Sequence, residues 1–294
     1  MESIREIISF SHDGIDQMWY PFSASLDPYN SIISAEYYHE IGELLLLLQS
    51  MFATNNHSPE LVEKKNMKDA RKFLVGEKRR RIECSIIFST DKNQYNLRRC
   101  FLGNHSIEAK LHKVDSKIIH GGDDAIKMLN KFHKPFVITE SRLFNSGSSI
   151  MKPDNEFSRK TMAALANNWT KMVGLTDSRI ELDFAGRWST PGDVDSFNSK
   201  RHSYRTNMPS PLRIFTHLAQ AVMRKRKYGR CPPIFSTFNV DALNEFESLA
   251  MLDLIKHVCE EESIQFIVAI NARPEVNSMV NAITTPRLSV YEKN

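Results

Sequence analysis

Four carboxylates, Glu181, Asp183, Asp193 and Asp195, gather in the short stretch 181–195. Acids grouped this way hold divalent ions in metal-dependent nucleases, where the metal stabilises the charge that builds up on the phosphodiester. Such a site also calls for a lysine on an adjacent strand, and Lys200 sits in a polar context without a strand pattern. A second group, Glu36, His39, Glu40 and Glu43, recurs at i, i+3, i+4 and i+7, so a helix carries all four on one side. That face suits a metal held between helices. It suits equally a solvated surface, with Glu36 at the positive end of the helix dipole. The stretch His120-Gly121-Gly122-Asp123-Asp124 reads as a small catalytic loop or as a turn leading into a helix with an acid near its start. Serine nucleophile chemistry has no Gly-x-Ser-x-Gly elbow to support it.

The four cysteines, Cys84, Cys100, Cys231 and Cys259, contain no Cys-x-x-Cys pair. They predict reduced, mostly buried thiols rather than a zinc site. Basic residues form two runs, Lys78-Arg79-Arg80-Arg81 and Arg224-Lys225-Arg226-Lys227, and a pair, Arg98-Arg99. Runs of this kind are solvated helix ends or loops, and cations suit a helix C-terminus. They are also the candidate DNA-contacting set, since phosphates are met by Lys and Arg. A net charge of +4 permits an acidic partner without requiring one.

Residues 30–52 have the outline of a phosphate-binding strand, loop and helix. Asn30-Ser31-Ile32-Ile33 is β-prone and runs into a leucine-rich helical stretch. The pattern G-x-x-x-x-G-K-[ST] then falls on 34–41. Ser34 stands for the first Gly, His39 for the second, Glu40 for the Lys and Ile41 for the Ser/Thr. In the intact motif, backbone N–H groups and the lysine cradle phosphates while the hydroxyl holds Mg²⁺. Glu40 reverses the lysine's charge and repels a triphosphate by roughly a few kcal/mol at the dielectric of a partly exposed site. Ile41 has no atom to offer a metal.

The elements that would position these groups follow from periodicity. Residues 4–10 and 18–26 read as a hairpin around His12-Asp13-Gly14, and 36–52 as a buried helix. A polar loop at 53–66 and a short helix at 67–75 follow. The strongest β-hairpin is 81–90 with 94–101 around Asp91-Lys92-Asn93. A strand at 107–114, a turn at Gly121-Gly122, a helix at 123–132 and a strand at 135–139 complete a first lobe, 1–145. Residues 146–155 are the linker, and 156–294 the second lobe. Its helices are 156–173, 211–228 and 243–261, and its strands are 179–184, 234–238, 265–271 and 287–291, with a long polar loop at 186–208. Alternating strand and helix predicts a parallel sheet there.

This order of elements resembles an ABC-type ATPase head, in particular the heads of SMC-like and break-repair ATPases. The fold class expected is therefore α/β, with an antiparallel β N-terminal lobe and a mixed or parallel α/β C-terminal lobe. Ser210-Pro211-Leu212-Arg213 sits where that family carries its signature glycines, and Pro232–Phe238 where it carries the Walker B strand. The acids of that strand would fall at 237–239, where none is acidic; Asp241 and Glu245 come later. The switch position near Asn271 carries no His, and no coiled coil separates the lobes.

The resemblance, with its motif residues replaced, implies a pseudo-ATPase: a binding or regulatory protein with no catalytic residues, metal or cofactor. Its partner would be a related ATPase head, a second copy or DNA, in DNA repair, defence or counter-defence. A metal-dependent nuclease and a non-specific DNA-binding module are the alternatives. No stretch approaches the roughly 20 apolar residues of a membrane span, and residues 1–6 lack a signal-peptide pattern. A cytoplasmic protein with no membrane partner is expected.

Overall fold

The computed structural model describes residues 2–13, 22–26, 28–29, 31–35, 47–48, 50–52, 81–102, 105–138, 150–176, 179–182, 188–189, 210–238 and 243–271. In chain order the elements are β1 (Glu2–His12), β2 (Phe22–Ser25), β3 (Ser31–Ala35), β4 (Arg81–Thr90), β5 (Gln94–Leu102), β6 (His105–Lys113), β7 (Ile119–Gly121), α1 (Gly122–Leu129), β8 (Phe132–His133) and β9 (Phe136–Ile138). There follow α2 (Glu156–Met172), β10 (Glu181–Leu182), β11 (Trp188–Ser189), α3 (Ser210–Tyr228), β12 (Ile234–Phe238), α4 (Glu245–Glu262) and β13 (Phe266–Asn271). The expected elements at 36–46, 53–66, 67–75 and 287–291, most of the 186–208 loop and the first part of the linker lie outside the described residues.

The strict alternation of β4 puts Ile82, Cys84, Ile86, Phe88 and Thr90 inward and leaves the intervening residues to the other face. Its turn is set locally: Thr90 Oγ1 accepts from the backbone N–H groups of Lys92 and Asn93. The antiparallel sheet runs β2-β1-β4-β5-β6-β7, and β8 adds to β1 in parallel. Its inner face packs an aromatic cluster: Phe88 stacks on Tyr95 at 5.5 Å, and Phe132 meets both rings edge-on.

A second sheet runs β3-β13-β12-β9. β3 pairs in parallel with β13, and β12 with β9. The Ile234 N–H donates to the Gln265 carbonyl at 2.9 Å, so β12 and β13 also begin side by side. Residue pairing thus returns the late strands to the N-terminal part of the chain. Of the two compact units, the first comprises 1–147, 232–237 and 265–294, and the second 148–231 and 238–264. A division into consecutive lobes at 146–155 would instead leave β12 and β13 in the second.

Within the first unit, one side chain ties the two sheets together. Gln265 is 3% exposed; its Oε1 accepts from the Ile7 N–H at 2.7 Å and its Nε2 donates to the Ile7 carbonyl at 2.8 Å. The β1–β4 register shifts between Ile7 and Ser9, leaving Ile8 as the extra residue of a bulge. The Ile8 carbonyl accepts instead from the Leu26 N–H at 2.8 Å.

The second unit packs α2 on α3, with Trp169 and Phe215 at 6.3 Å. Asn167 repeats the same device: its amide exchanges two hydrogen bonds with the Ile180 backbone at 2.7 and 2.8 Å. Asn155 caps α2, and Asn244 with Glu247 forms a capping box on α4. Three local differences from the sequence expectation have plain causes. The helix expected at 123–132 ends at Leu129, because Phe132 and His133 pair with Glu2 and Ser3. Residues 119–121 form a strand on β6, and Trp188–Ser189 pairs with β10 inside the stretch expected to be a loop.

Replacing Gln265 with Leu keeps the volume and strands both Ile7 backbone groups in a dry interior. Each such group costs about 1–3 kcal/mol, so Gln265→Leu should lower unfolding stability in urea by roughly 2–5 kcal/mol; a loss below about 0.5 kcal/mol would show the clamp is not structural.

Candidate functional site

In parallel α/β sheets, ligands bind beyond the C-terminal ends of the strands. The ends here carry Ser34 and Ala35 on β3, in register with Ile270 and Asn271 on β13, and Thr237 and Phe238 on β12. None is acidic or basic. Ser34 continues the strand ladder rather than opening a loop. His39, Glu40 and Ile41 lie outside the described residues, as do Asn239 and Asp241, while Glu245 stands in the exposed first turn of α4.

The paired arginines of β5 part company because neighbouring strand residues face opposite ways. Arg99 points inward and is 2% exposed. Its Nη1 donates to the carbonyls of Ser50, at 2.7 Å, and Met51, at 3.2 Å, the last described helical residues before Phe52. Those carbonyls have no partner within their own helix, and a cation there also meets the negative end of its dipole. The Phe101 ring lies 5.2 Å from the guanidinium, and burial pushes the Arg99 pKa down to about 10. This corrects its place in the DNA-contacting set: an arginine closed off from solvent reaches no phosphate.

Arg98 points outward, is exposed, and makes no hydrogen bond or ion pair among the described residues. It lies in register with Ser85 on β4 and Lys110 on β6. Two cations facing across neighbouring strands repel, and Lys110 turns to Glu108 in an ion pair. Arg81 opens β4, exposed, paired with Glu83 and donating to Cys100 Sγ at 3.1 Å. Lys78, Arg79 and Arg80 are outside the described residues.

The second basic run closes α3 onto its own unit. Arg224 Nη1 donates to the Ile150 carbonyl at 3.0 Å, and Lys225 Nζ reaches the Ser263 carbonyl at 3.5 Å. Arg226 pairs with Glu262 and Lys227 with Asp154. Arg226 and Lys227 nevertheless stay open to solvent.

Of the nuclease candidates, Glu181 sits half-buried on β10 with Arg179 at 3.2 Å; Asp183, Asp193, Asp195 and Lys200 lie outside the described residues. Asp123 and Asp124 occupy the first turn of α1, which has no side-chain cap, and Asp124 pairs with Lys127. All four cysteines are buried free thiols; desolvation raises the pKa of each, that of Cys231 to about 12. Among the described residues, no three His, Cys, Asp or Glu side chains group as metal ligands, and no helix is long and apolar enough to cross a membrane.

No protein-family model matches the chain, and no curated protein matches it in sequence. Among solved structures it is similar to an SMC head bound to the C-winged helix domain of ScpA. That alignment has a TM-score of 0.51 and 14% identity, covering 93% of this chain and 92% of that one. The fold is that of an ABC-type ATPase head. The SMC head domain from Thermotoga maritima (TM-score 0.48, 10% identity, 96% and 93% covered) and the recombination mediator RecF of the RecFOR pathway (0.47, 8%, 93% and 94%) align more loosely.

Sequence reasoning missed Gln265, Asn167 and His12. Burial lowers the His12 pKa to about 4, and burial with nearby Arg213 does the same for His217. Both stay neutral in the folded protein at pH 5, while the unfolded chain, titrating near 6.5, takes up protons there. Stability should therefore fall as pH drops from 7 towards 4, by about 2 kcal/mol per histidine between pH 7 and 5. His12→Gln should flatten that slope in denaturant melts; an unchanged slope would refute the assignment. Arg99→Met should cost about 3 kcal/mol by stranding two helix carbonyls, against less than about 0.5 kcal/mol for Arg98→Met. Equal losses would contradict their opposite orientations.

Proposed function

We propose that this chain is a pseudo-ATPase, an ABC-type head that has exchanged nucleotide hydrolysis for a binding or regulatory role. One observation supports it above the others. The strand ends where such a fold would meet its ligand carry Ser34, Ala35, Thr237, Phe238 and Asn271. Among the described residues no carboxylate stands at those ends to hold Mg²⁺ or orient water, and in sequence Glu40 and Ile41 occupy the places of the phosphate-binding lysine and the metal-binding hydroxyl. The partner on this reading is a related SMC-like head, a second copy of the chain, or DNA, in repair, defence or counter-defence. The solved SMC head that carries the winged-helix domain of ScpA is an instance of a head acting as a docking surface.

DNA contact has its own support in the open face of the antiparallel sheet. Arg98 is uncommitted there, Lys110 lies beside it, and Arg81 is exposed at the start of the neighbouring strand. The nuclease alternative rests on Asp183, Asp193, Asp195 and Lys200, which lie outside the described residues.

Titration with fluorescent ATP and Mg²⁺ tests the pseudo-ATPase reading. Binding no tighter than about 1 mM, worth roughly −4 kcal/mol, and no phosphate release above a protein-free control are expected. Micromolar binding or measurable turnover would overturn it.

A further inference from the structure

At one end of the second unit, where α2 begins and α3 finishes, aromatic rings and cations stand together in solvent. Phe157, the second residue of α2, is 76% exposed, and Tyr228, the last of α3, is 52% exposed. A short chain of contacts holds them at the same end. Asp154 accepts from the Ser158 hydroxyl at 3.1 Å and pairs with Lys227, whose Nζ lies 5.3 Å from the Tyr228 ring centroid. The Arg224 guanidinium lies 5.4 Å from the same ring.

Within five residues of one ring or the other along the chain are Lys152, Lys160, Arg226 and Arg230, all exposed, and Lys160 and Arg226 pair with Glu156 and Glu262. Lys152 and Arg230 make no ion pair among the described residues. The others sit in exposed pairs, which are weak and readily exchange one anion for another.

Packing gives no reason for two rings to stand in water. Aromatic side chains interleaved with cations are what an unpaired polynucleotide needs: π-faces for its bases and positive charge along its backbone. A duplex hides its base faces and has no use for the rings.

We propose that this end of the second unit is a stacking platform for single-stranded nucleic acid, with Phe157 and Tyr228 taking bases and Lys152, Lys227 and Arg230 meeting phosphates. It deepens the binding role proposed above by naming a ligand class, and it uses side chains remote in sequence from the strand ends probed with ATP.

Fluorescence anisotropy on the full chain, with a labelled oligo-dT of about thirty nucleotides and a duplex of equal length, decides it. The oligo-dT should bind more tightly than the duplex and weaken steeply with salt. Phe157→Ala and Tyr228→Ala should each weaken it about tenfold, with circular dichroism unchanged because both side chains are exposed. Lys152→Glu with Arg230→Glu should weaken it further without touching either ring. Equal affinity for duplex, no binding at low salt, indifference to the ring variants, or binding to anionic vesicles in place of oligo-dT would each overturn the proposal. Failure here leaves the ATP result standing, and ATP binding would overturn the pseudo-ATPase reading without touching this platform.

Discussion

In the first unit an amide stands in for a strand. Gln265 gives Ile7 both hydrogen bonds that a neighbouring backbone would supply, at a bulge where β1 has slipped against β4. Both partners are buried, so water offers no substitute. Because Gln265 immediately precedes β13, the same contact positions the strand whose end lies in register with Ser34 and Ala35. The antiparallel sheet and the parallel sheet are joined there and through a common core, to which Phe235 and Ile267 belong along with Ile7 and Phe88.

Burial decides what the cations of this chain do. Arg98 and Arg99 are neighbours in sequence, yet one stands in solvent and the other closes the end of a helix. Strand geometry makes the division: period two sends adjacent side chains to opposite faces. The run at 224–227 shows a milder form. Its members fasten α3 to the segment at 150–154 and to the end of α4, while the charged groups of Arg226 and Lys227 remain in water. Net basic charge is thus shared between structure and surface, and only the exposed part can meet an acidic partner.

Much of the fold was legible in the sequence because it is written in periodicity. The alternation at 81–101 gave the central hairpin, and the helices expected at 156–173, 211–228 and 243–261 are present as α2, α3 and α4. The order of elements resembled an ABC-type head, and the fold agrees. What escaped was non-local. Nothing in Ser263-Ile264-Gln265-Phe266 signals that the glutamine will face a residue 258 positions away. Nor does a pair of arginines say which will be buried; the apolar residues flanking the pair, Leu97 and Phe101, held that information, since Arg99 shares their face. The short strands β7, β8 and β11 form by pairing to partners already in place, which local propensity cannot reveal.

On the reading proposed above, the scaffold of an ATPase head persists without nucleotide binding. Thermal unfolding with and without millimolar Mg²⁺-ATP tests it most directly, because any ligand that prefers the folded state raises its stability by mass action. Superimposable melting curves are expected. A ligand present at a hundred times its dissociation constant would add about 2.7 kcal/mol, and an upward shift of several degrees in Tm that requires both Mg²⁺ and the triphosphate would contradict it.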